Sequence, residues 1–215
     1  MRVIVGRKVL DVSGEDLAQK RSRFALTLID VGTGDGRFVY RYAAAHPDTF
    51  CIGIDPVRAQ MREISAKVAR KPSRGGLPNA FFLEAPIENL PAELEGVADH
   101  ITVNYPWGSL LAALVVPHVS LVREIARLGK RGATLTILFN NSVFQDEEYM
   151  TRLSLPATNE QTMKQRVAPQ LKQLGIEIAS CSVFEGHPPQ WTSWGRRLVA
   201  GSSRKTMAVS AVITR

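Results

Sequence analysis

Apolar residues in this chain fall into short, nearly unbroken runs separated by amphipathic stretches. The runs at 26–31, 50–55, 80–84, 99–104 and 133–140 predict five strands, each apolar throughout its length. Between them, periodic apolar positions predict helices from about Arg37 to Ala45, from Val57 to about Lys71, and from about Leu110 to Leu128. Strands buried on both faces and alternating with helices are the pattern of a parallel sheet covered on both sides, so an α/β fold is expected. Before this series, Val3, Val5, Val9 and Val12 are spaced as strand residues about Gly6-Arg7, which predicts an N-terminal β-hairpin over 1–13. Ser13 then caps a short helix with Glu15 and Asp16 in its first turn. The end of the chain differs. Segments 175–178 and 207–213 read as two strands with little helical pattern between them, compatible with an antiparallel pair closing the sheet. Two long connections, 141–160 and 184–204, follow strands five and six on the side where open α/β sheets bind ligands, and are expected to face the substrate.

Length and composition narrow the field. At 215 residues the chain suits a single domain, 1–215, with a real core. Lys and Arg number 27 against 20 Asp and Glu, a formal charge of +7, which favours a polyanionic partner over an acidic small substrate. Cys51 and Cys181 lack metal-ligand spacing and read as packed thiols of a reducing compartment. The first residues lack the apolar core of a signal peptide, and the longest apolar run, Leu110 to Val116, stops at Pro117. A soluble, cytoplasmic protein without membrane association is expected.

The richest stretch for chemistry is 28–37, where an apolar strand breaks into Asp30-Val31-Gly32-Thr33-Gly34-Asp35-Gly36 and a helix begins at Arg37. A dinucleotide loop requires a small residue where Arg37 stands, which disfavours NAD. The glycines Gly32, Gly34 and Gly36 instead let the backbone approach an uncharged sugar and amino-acid moiety, while the Asp30 carboxylate can hold an ammonium. Just over twenty residues on, Asp55 ends the next strand where a ribose partner would sit. The pair points to S-adenosylmethionine (SAM), with S-adenosylhomocysteine as its product. After strand three, Ile87 and Glu88 lie in a turn where an adenine ring is expected; Glu88 is equally compatible with a solvated carboxylate.

Strand four ends in Asn104-Tyr105-Pro106-Trp107-Gly108-Ser109. This partly matches the Asn-Pro-Pro-aromatic loop of amino-methylating enzymes, with Tyr105 in place of the first proline. Trp107 either stacks on a base or caps the following helix and fills core. Trp191 and Trp194 lie in the 184–204 connection, and tryptophans from two loops could sandwich a flipped base. An acceptor ring nitrogen with a free lone pair, such as N1 of adenine, needs no general base, and His46, His100, His118 and His187 form no acid–base or metal constellation. No metal is expected.

Taken together these segments resemble the aminoglycoside-resistance 16S rRNA (adenine(1408)-N1)-methyltransferases of the kanamycin and apramycin resistance type. The resemblance runs nearly end to end and rests most selectively on Lys71-Pro72-Ser73-Arg74-Gly75-Gly76-Leu77 and Ser193-Trp194-Gly195-Arg196-Arg197-Leu198. It implies a class I SAM-dependent methyltransferase: a Rossmann-like seven-stranded sheet, its last strands antiparallel, with an N-terminal β-hairpin extension. By the same resemblance Gly32, Asp55, Glu88 and the 104–109 loop, including Asn104 and Ser109, line the cofactor, with Thr192 beside them and Asp30 supporting the loop. Trp107 and Trp194 flank the target adenine, with Pro106 and Ser193 near the reacting centre; Trp191 falls outside the matched motif. The charge pattern agrees: Lys67, Arg70, Lys71 and Arg74 recur at three- and four-residue spacing, behind Arg58 and Arg62, while Arg196, Arg197, Arg204 and Lys205 flank the tryptophan loop. These groups are expected to contact phosphates of 16S rRNA in the 30S subunit, the enzyme acting as a monomer. The rivals are another RNA base methylation by the same fold, such as N7 of guanine in tRNA, and a non-catalytic RNA-binding module.

Overall fold

The computed structural model describes residues 1–185 and 205–215. The expected strands all form, and their order explains where a ligand can bind. The N-terminal hairpin is β1 (Arg2–Val5) and β2 (Lys8–Asp11), followed by α1 (Gly14–Arg21), which Ser13 caps through a reciprocal bond with Asp16. The alternating series is β3 (Leu26–Val31), α2 (Arg37–Ala45), β4 (Thr49–Asp55), α3 (Arg58–Val68), β5 (Ala80–Glu84) and β6 (Ala98–Asn104). It continues through α4 (Gly108–Val115) and α5 (Val119–Leu128) to β7 (Gly129–Asn140), then α6 (Glu147–Arg152) and α7 (Glu160–Thr162). A π-helical turn (Met163–Val167) leads into α8 (Ala168–Gln173), and β8 (Ile176–Glu185) and β9 (Lys205–Ile213) complete the sheet.

Among the described residues the nine strands share one sheet in the order β2-β1-β5-β4-β3-β6-β7-β9-β8. Strands β5, β4, β3, β6 and β7 run parallel, β8 and β9 close one edge antiparallel, and the hairpin joins the other edge through Val3 opposite Leu83. The seven strands from β5 to β8 are the expected core, and the hairpin is the added extension. Because side chains alternate across a strand, neighbouring residues serve opposite cores. Ile29, Phe50, Ile52, Phe81 and Leu83 pack on one face, whereas Leu28, Cys51 and Phe82 pack with Phe38, Met61 and Ile64 on the other. Burial pushes the Cys51 thiol up to about 12, so it is a packing group and not a nucleophile at neutral pH.

Three expectations are corrected. The single helix expected over 110–128 is two, bent by 94°. The ring of Pro117 excludes the helical conformation for the preceding residue, and Val116 is accordingly extended (φ −116°, ψ 91°). The helix expected to reach Lys71 stops at Val68; Lys71 itself precedes Pro72 and is extended (φ −60°, ψ 146°), so it could not have continued the helix. The 141–160 stretch is not an open loop. Asp146 caps α6 by accepting from Tyr149 N at 2.9 Å, and Asn159 forms a reciprocal cap with Thr162. Both caps are short polar side chains three residues ahead of their donor, a readable helix-start signal in the sequence. Among the described residues no single helix is long and apolar enough to cross a membrane.

Candidate functional site

Strand order reverses at β3: β4 and β5 are added on one side and β6 and β7 on the other, all five strands running parallel. A crevice at the carboxyl ends of the strands is the geometric result. It holds a cavity of about 860 Å³ lined by Asp30, Gly32, Gly34, Asp55, Ile87 and Glu88 from one side and Asn104, Pro106, Trp107 and Ser109 from the other.

Its floor is fixed by backbone bonds. Gly32 N and Thr33 N both donate to Ile54 O at 2.9 Å, bending the chain from β3 toward β4. Gly32 turns with φ +72°, and an added Cβ there would sit 3.0 Å from Leu110 Cδ2, so the turn admits glycine alone without displacement. Asp55 ties the two loops together, its Oδ2 accepting from Gly34 N (2.9 Å) and its Oδ1 from Val57 N (2.8 Å). Burial raises its proton affinity, and those two bonds work against the rise.

Asp30 lies deeper, 1% exposed, and its Oδ1 accepts from Thr102 Oγ1 at 2.7 Å and Asn104 Nδ2 at 2.9 Å. Desolvation dominates and pushes this carboxyl up to about 6, opposed by the bonds from Thr102 and Asn104 and helped by the nearby charge of Asp55. Asn104 Oδ1 is also buried, and among the described residues it has no hydrogen-bond partner. An ionised carboxylate beside an unfilled amide oxygen makes a site for a cationic donor. Glu88 stands exposed at the rim, on a single turn (Ile87–Asn89) whose Ile87 is buried against the cavity. The cavity is therefore acidic in a chain whose net charge is +7.

The far wall is a strained loop. Tyr105 is a non-glycine residue at φ +52°, and Gly108 has φ +54°. Tyr105 is held in place by donation from its N to Leu138 O (2.7 Å) and by its hydroxyl against Thr206 Oγ1 (3.3 Å). Trp107, between them, is 42% exposed at the mouth of the cavity. At that exposure the indole does not fill core. Among the described residues no group of three or more His, Cys, Asp or Glu side chains could hold a metal ion.

Comparison with known proteins agrees with this geometry. The family model described as 16S rRNA (adenine(1408)-N(1))-methyltransferase matches residues 2–213. The chain belongs to that family. Its relative of that name from Escherichia coli is 33% identical over 218 residues, spanning 100% of both chains. The antibiotic-resistance methyltransferase Kmr is 41% identical, with a TM-score of 0.83 over 99% of this chain and 100% of that one. A mutant of the 16S rRNA (adenine(1408)-N(1))-methyltransferase from Catenulisporales acidiphilia, solved with cosubstrate SAM, is 32% identical with a TM-score of 0.91, covering 100% and 97%.

Within this methyltransferase, most of the residues expected at a cofactor site meet around one cavity, and Gly36 does not. Gly36 begins α2 at φ +73°, and a Cβ there would lie 2.5 Å from Phe82 Cε1. Its role is to let the helix start close against β5. Gly36→Ala is expected to lower folding stability by about 2–4 kcal/mol, from the left-handed backbone and the overlap together, while the variant that folds keeps its cavity contacts. A urea unfolding curve measures this, and an unchanged midpoint would contradict it.

The basic residues are also redistributed. Arg58, Arg62 and Lys67 lie on α3, whereas Arg70, Lys71 and Arg74 follow it in a turn, all three exposed. That turn is tightly specified. Lys71 O accepts from Arg74 N (2.8 Å) and Gly76 N (3.2 Å), Gly75 has φ +79°, and a Cβ on Gly76 would collide with Arg70 O. Tyr40 anchors it from α2, its hydroxyl donating to Gly75 O at 3.0 Å and its ring lying 4.2 Å beneath Lys67 Nζ. Lys205 is paired with Glu185 at 3.0 Å. Trp191, Thr192, Ser193, Trp194, Arg196, Arg197 and Arg204 lie outside the described residues.

Sequence reasoning treated Tyr105 only as a departure from a motif and overlooked Tyr149. Tyr105 lines the cavity, and the Tyr149 ring lies 5.2 Å from Trp107. The signal for Tyr149 was the Asp146 cap, which places it on a helix and turns it inward.

Proposed function

We propose that this chain methylates N1 of adenine 1408 in the decoding site of 16S rRNA, acting as a cytoplasmic monomer on the 30S subunit and conferring resistance to aminoglycosides that contact this base. The observation that carries the reading is the acidic cavity at the sheet's reversal point with exposed Trp107 at its mouth. The family membership of the whole chain names the reaction, and the reading takes 1–215 as one domain.

SAM, when bound, supplies a methyl group made electrophilic by a positively charged sulfur. Asp30 and Asn104 Oδ1 receive its ammonium, a role suited to a buried carboxylate next to an unfilled acceptor. Asp55 retains lone pairs beyond those used by Gly34 and Val57 and takes the ribose hydroxyls. Ile87 packs on the adenine ring, with Glu88 at its edge, and Gly32, Gly34 and Ser109 supply close backbone and hydroxyl contacts. The chain's remaining task is alignment. N1 of adenine carries its own lone pair, so no side chain must remove a proton before attack, and rate comes from holding that nitrogen in line. Trp107 provides one stacking wall and Trp194 the other, with the Pro106 carbonyl and Ser193 fixing the base's edge. The aromatic walls also favour the cation that methylation creates.

Lys67, Arg70, Lys71 and Arg74 present a cationic face, supported by Tyr40, that meets RNA phosphates, and Arg196, Arg197, Arg204 and Lys205 are further phosphate-binding groups. Lys205 takes this role by exchanging Glu185 for a phosphate.

Primer extension across 16S rRNA after incubation with SAM tests the reading. The expected result is a new stop at adenine 1408 on 30S subunits and little or none on protein-free 16S rRNA. Methyl incorporation without a stop would indicate an atom off the pairing edge, such as N7 of guanine, and no incorporation with SAM bound would leave only an RNA-binding module.

A further inference from the structure

Helix α4 begins in an unusual way. The first backbone N–H groups of a helix lack internal partners and are normally served by an Asp, Asn, Ser or Thr at the capping position. Here that position is Trp107, whose side chain makes no capping bond. The acceptor is supplied from another element: Gly108 N donates to the Tyr149 hydroxyl at 3.0 Å. The same tyrosine ring meets the Trp107 indole edge to face, with centroids 5.2 Å apart and planes at 78°. Tyr149 is itself well fixed. It sits half-buried on α6, its backbone N held by the Asp146 cap, its ring packed on the main core, and the Arg152 guanidinium lies 4.9 Å from the ring centroid.

We infer that Tyr149 is a positioning residue for the methylation reaction: it sets the direction of the Trp107 indole by capping the following helix and bracing the ring. The inference rests on the reading of Trp107 as a stacking wall. Trp107 lies between two left-handed residues, Tyr105 and Gly108, so its backbone is held by contacts outside the loop: β7 and β9 hold Tyr105, and α6 holds Gly108. A half-exposed indole gains little orientation from burial, and an edge-to-face neighbour supplies it. The 141–160 stretch thus acts on the base through Tyr149 without having to touch it.

The test uses the full-length enzyme labelled with 5-fluorotryptophan, with the Trp107 resonance assigned by Trp107→Phe. Tyr149→Ala should shift or broaden the Trp107 fluorine signal and lower kcat on 30S subunits by on the order of tenfold to a hundredfold, the size expected for misplacement near the reacting atoms. KM for 30S subunits and the dissociation constant for SAM should stay within about twofold, since no Tyr149 atom lines the cavity. Tyr149→Phe keeps the ring and loses the hydroxyl acceptor, so it should show a smaller signal shift and an intermediate kcat; it carries the test if the alanine variant does not fold. An unmoved Trp107 signal with unchanged kcat would overturn the inference. So would a loss of kcat matched by a loss of SAM affinity, which would mean general damage. If Trp107→Ala itself keeps full kcat, the stacking reading fails, and the fluorine spectrum separately shows whether Tyr149 orients the indole.

Discussion

Trp107→Ala is expected to lower methyl transfer to 30S subunits by roughly 5- to 150-fold while leaving SAM affinity and fold nearly intact. The range follows from about 1–3 kcal/mol for one base–aromatic stack, taken at about 1.4 kcal/mol per tenfold in rate. SAM binding should survive because the cavity's polar acceptors stand on β3, β4 and β6, and the indole lies at the mouth. Stability should change little because Trp107 is 42% exposed, although its edge contact with Tyr149 is lost. Radiolabelled methyl incorporation, calorimetric SAM titration and a thermal melt together read the three quantities, and Trp107→Phe should recover much of the rate. Wild-type incorporation by the alanine variant would remove Trp107 from the base site.

The second large effect concerns Asp30 and has two opposite signs. Desolvation pushes this carboxyl from 3.8 up to about 6 in the folded protein. Below the lower value both folded and unfolded chains carry the proton and burial costs nothing. As pH rises from there through about 6, the unfolded chain ionises first, so stability falls; above about 6 the loss is complete. At neutral pH the buried charge therefore costs the ligand-free protein on the order of 3 kcal/mol. Asp30→Asn removes that charge and keeps an oxygen for Thr102 and Asn104, so its melting temperature without ligand should rise by a few degrees at pH 7–8 and converge on wild type near pH 4. SAM affinity should fall at least about 30-fold, the lower end of what truncating a buried charge pair costs. Wild-type affinity should also climb as pH rises toward about 6 and then level off. An asparagine variant that melts lower at pH 7.5, or binds SAM as well as wild type, would refute this account.

How much of this was legible in the sequence depended on the length scale of the signal. The strands were readable because each is an apolar run several residues long, and β3 and β5 fall at their expected bounds. Helices were misread beside prolines: an apolar rhythm continued past Pro117, and a basic one ran right up to Pro72 although the helix ends at Val68. Asp30, Gly32, Gly34 and Asp55 were legible because glycines and acids at strand ends are rare enough to stand out. Gly36 lies off the cavity lining, and a glycine needed to clear Phe82 looks in sequence like one needed to admit a ligand. Tyr149 was overlooked because the Asp146 cap shows only that it lies on a helix, and its role rests on a hydroxyl contact with Gly108, 41 residues away.

Strand β9 lies between β7 and β8, although it follows both in the chain. During synthesis β8 therefore has no neighbour in the sheet until β9 emerges and inserts, which makes the closing of this edge a late step with long loops to draw in. Thr206, which meets the Tyr105 hydroxyl, arrives only with that strand. The hydroxyl contact that helps hold the Trp107 loop is therefore unavailable until the last strand is in place, whereas the Gly32–Ile54 and Gly34–Asp55 bonds of the cavity floor join segments made much earlier.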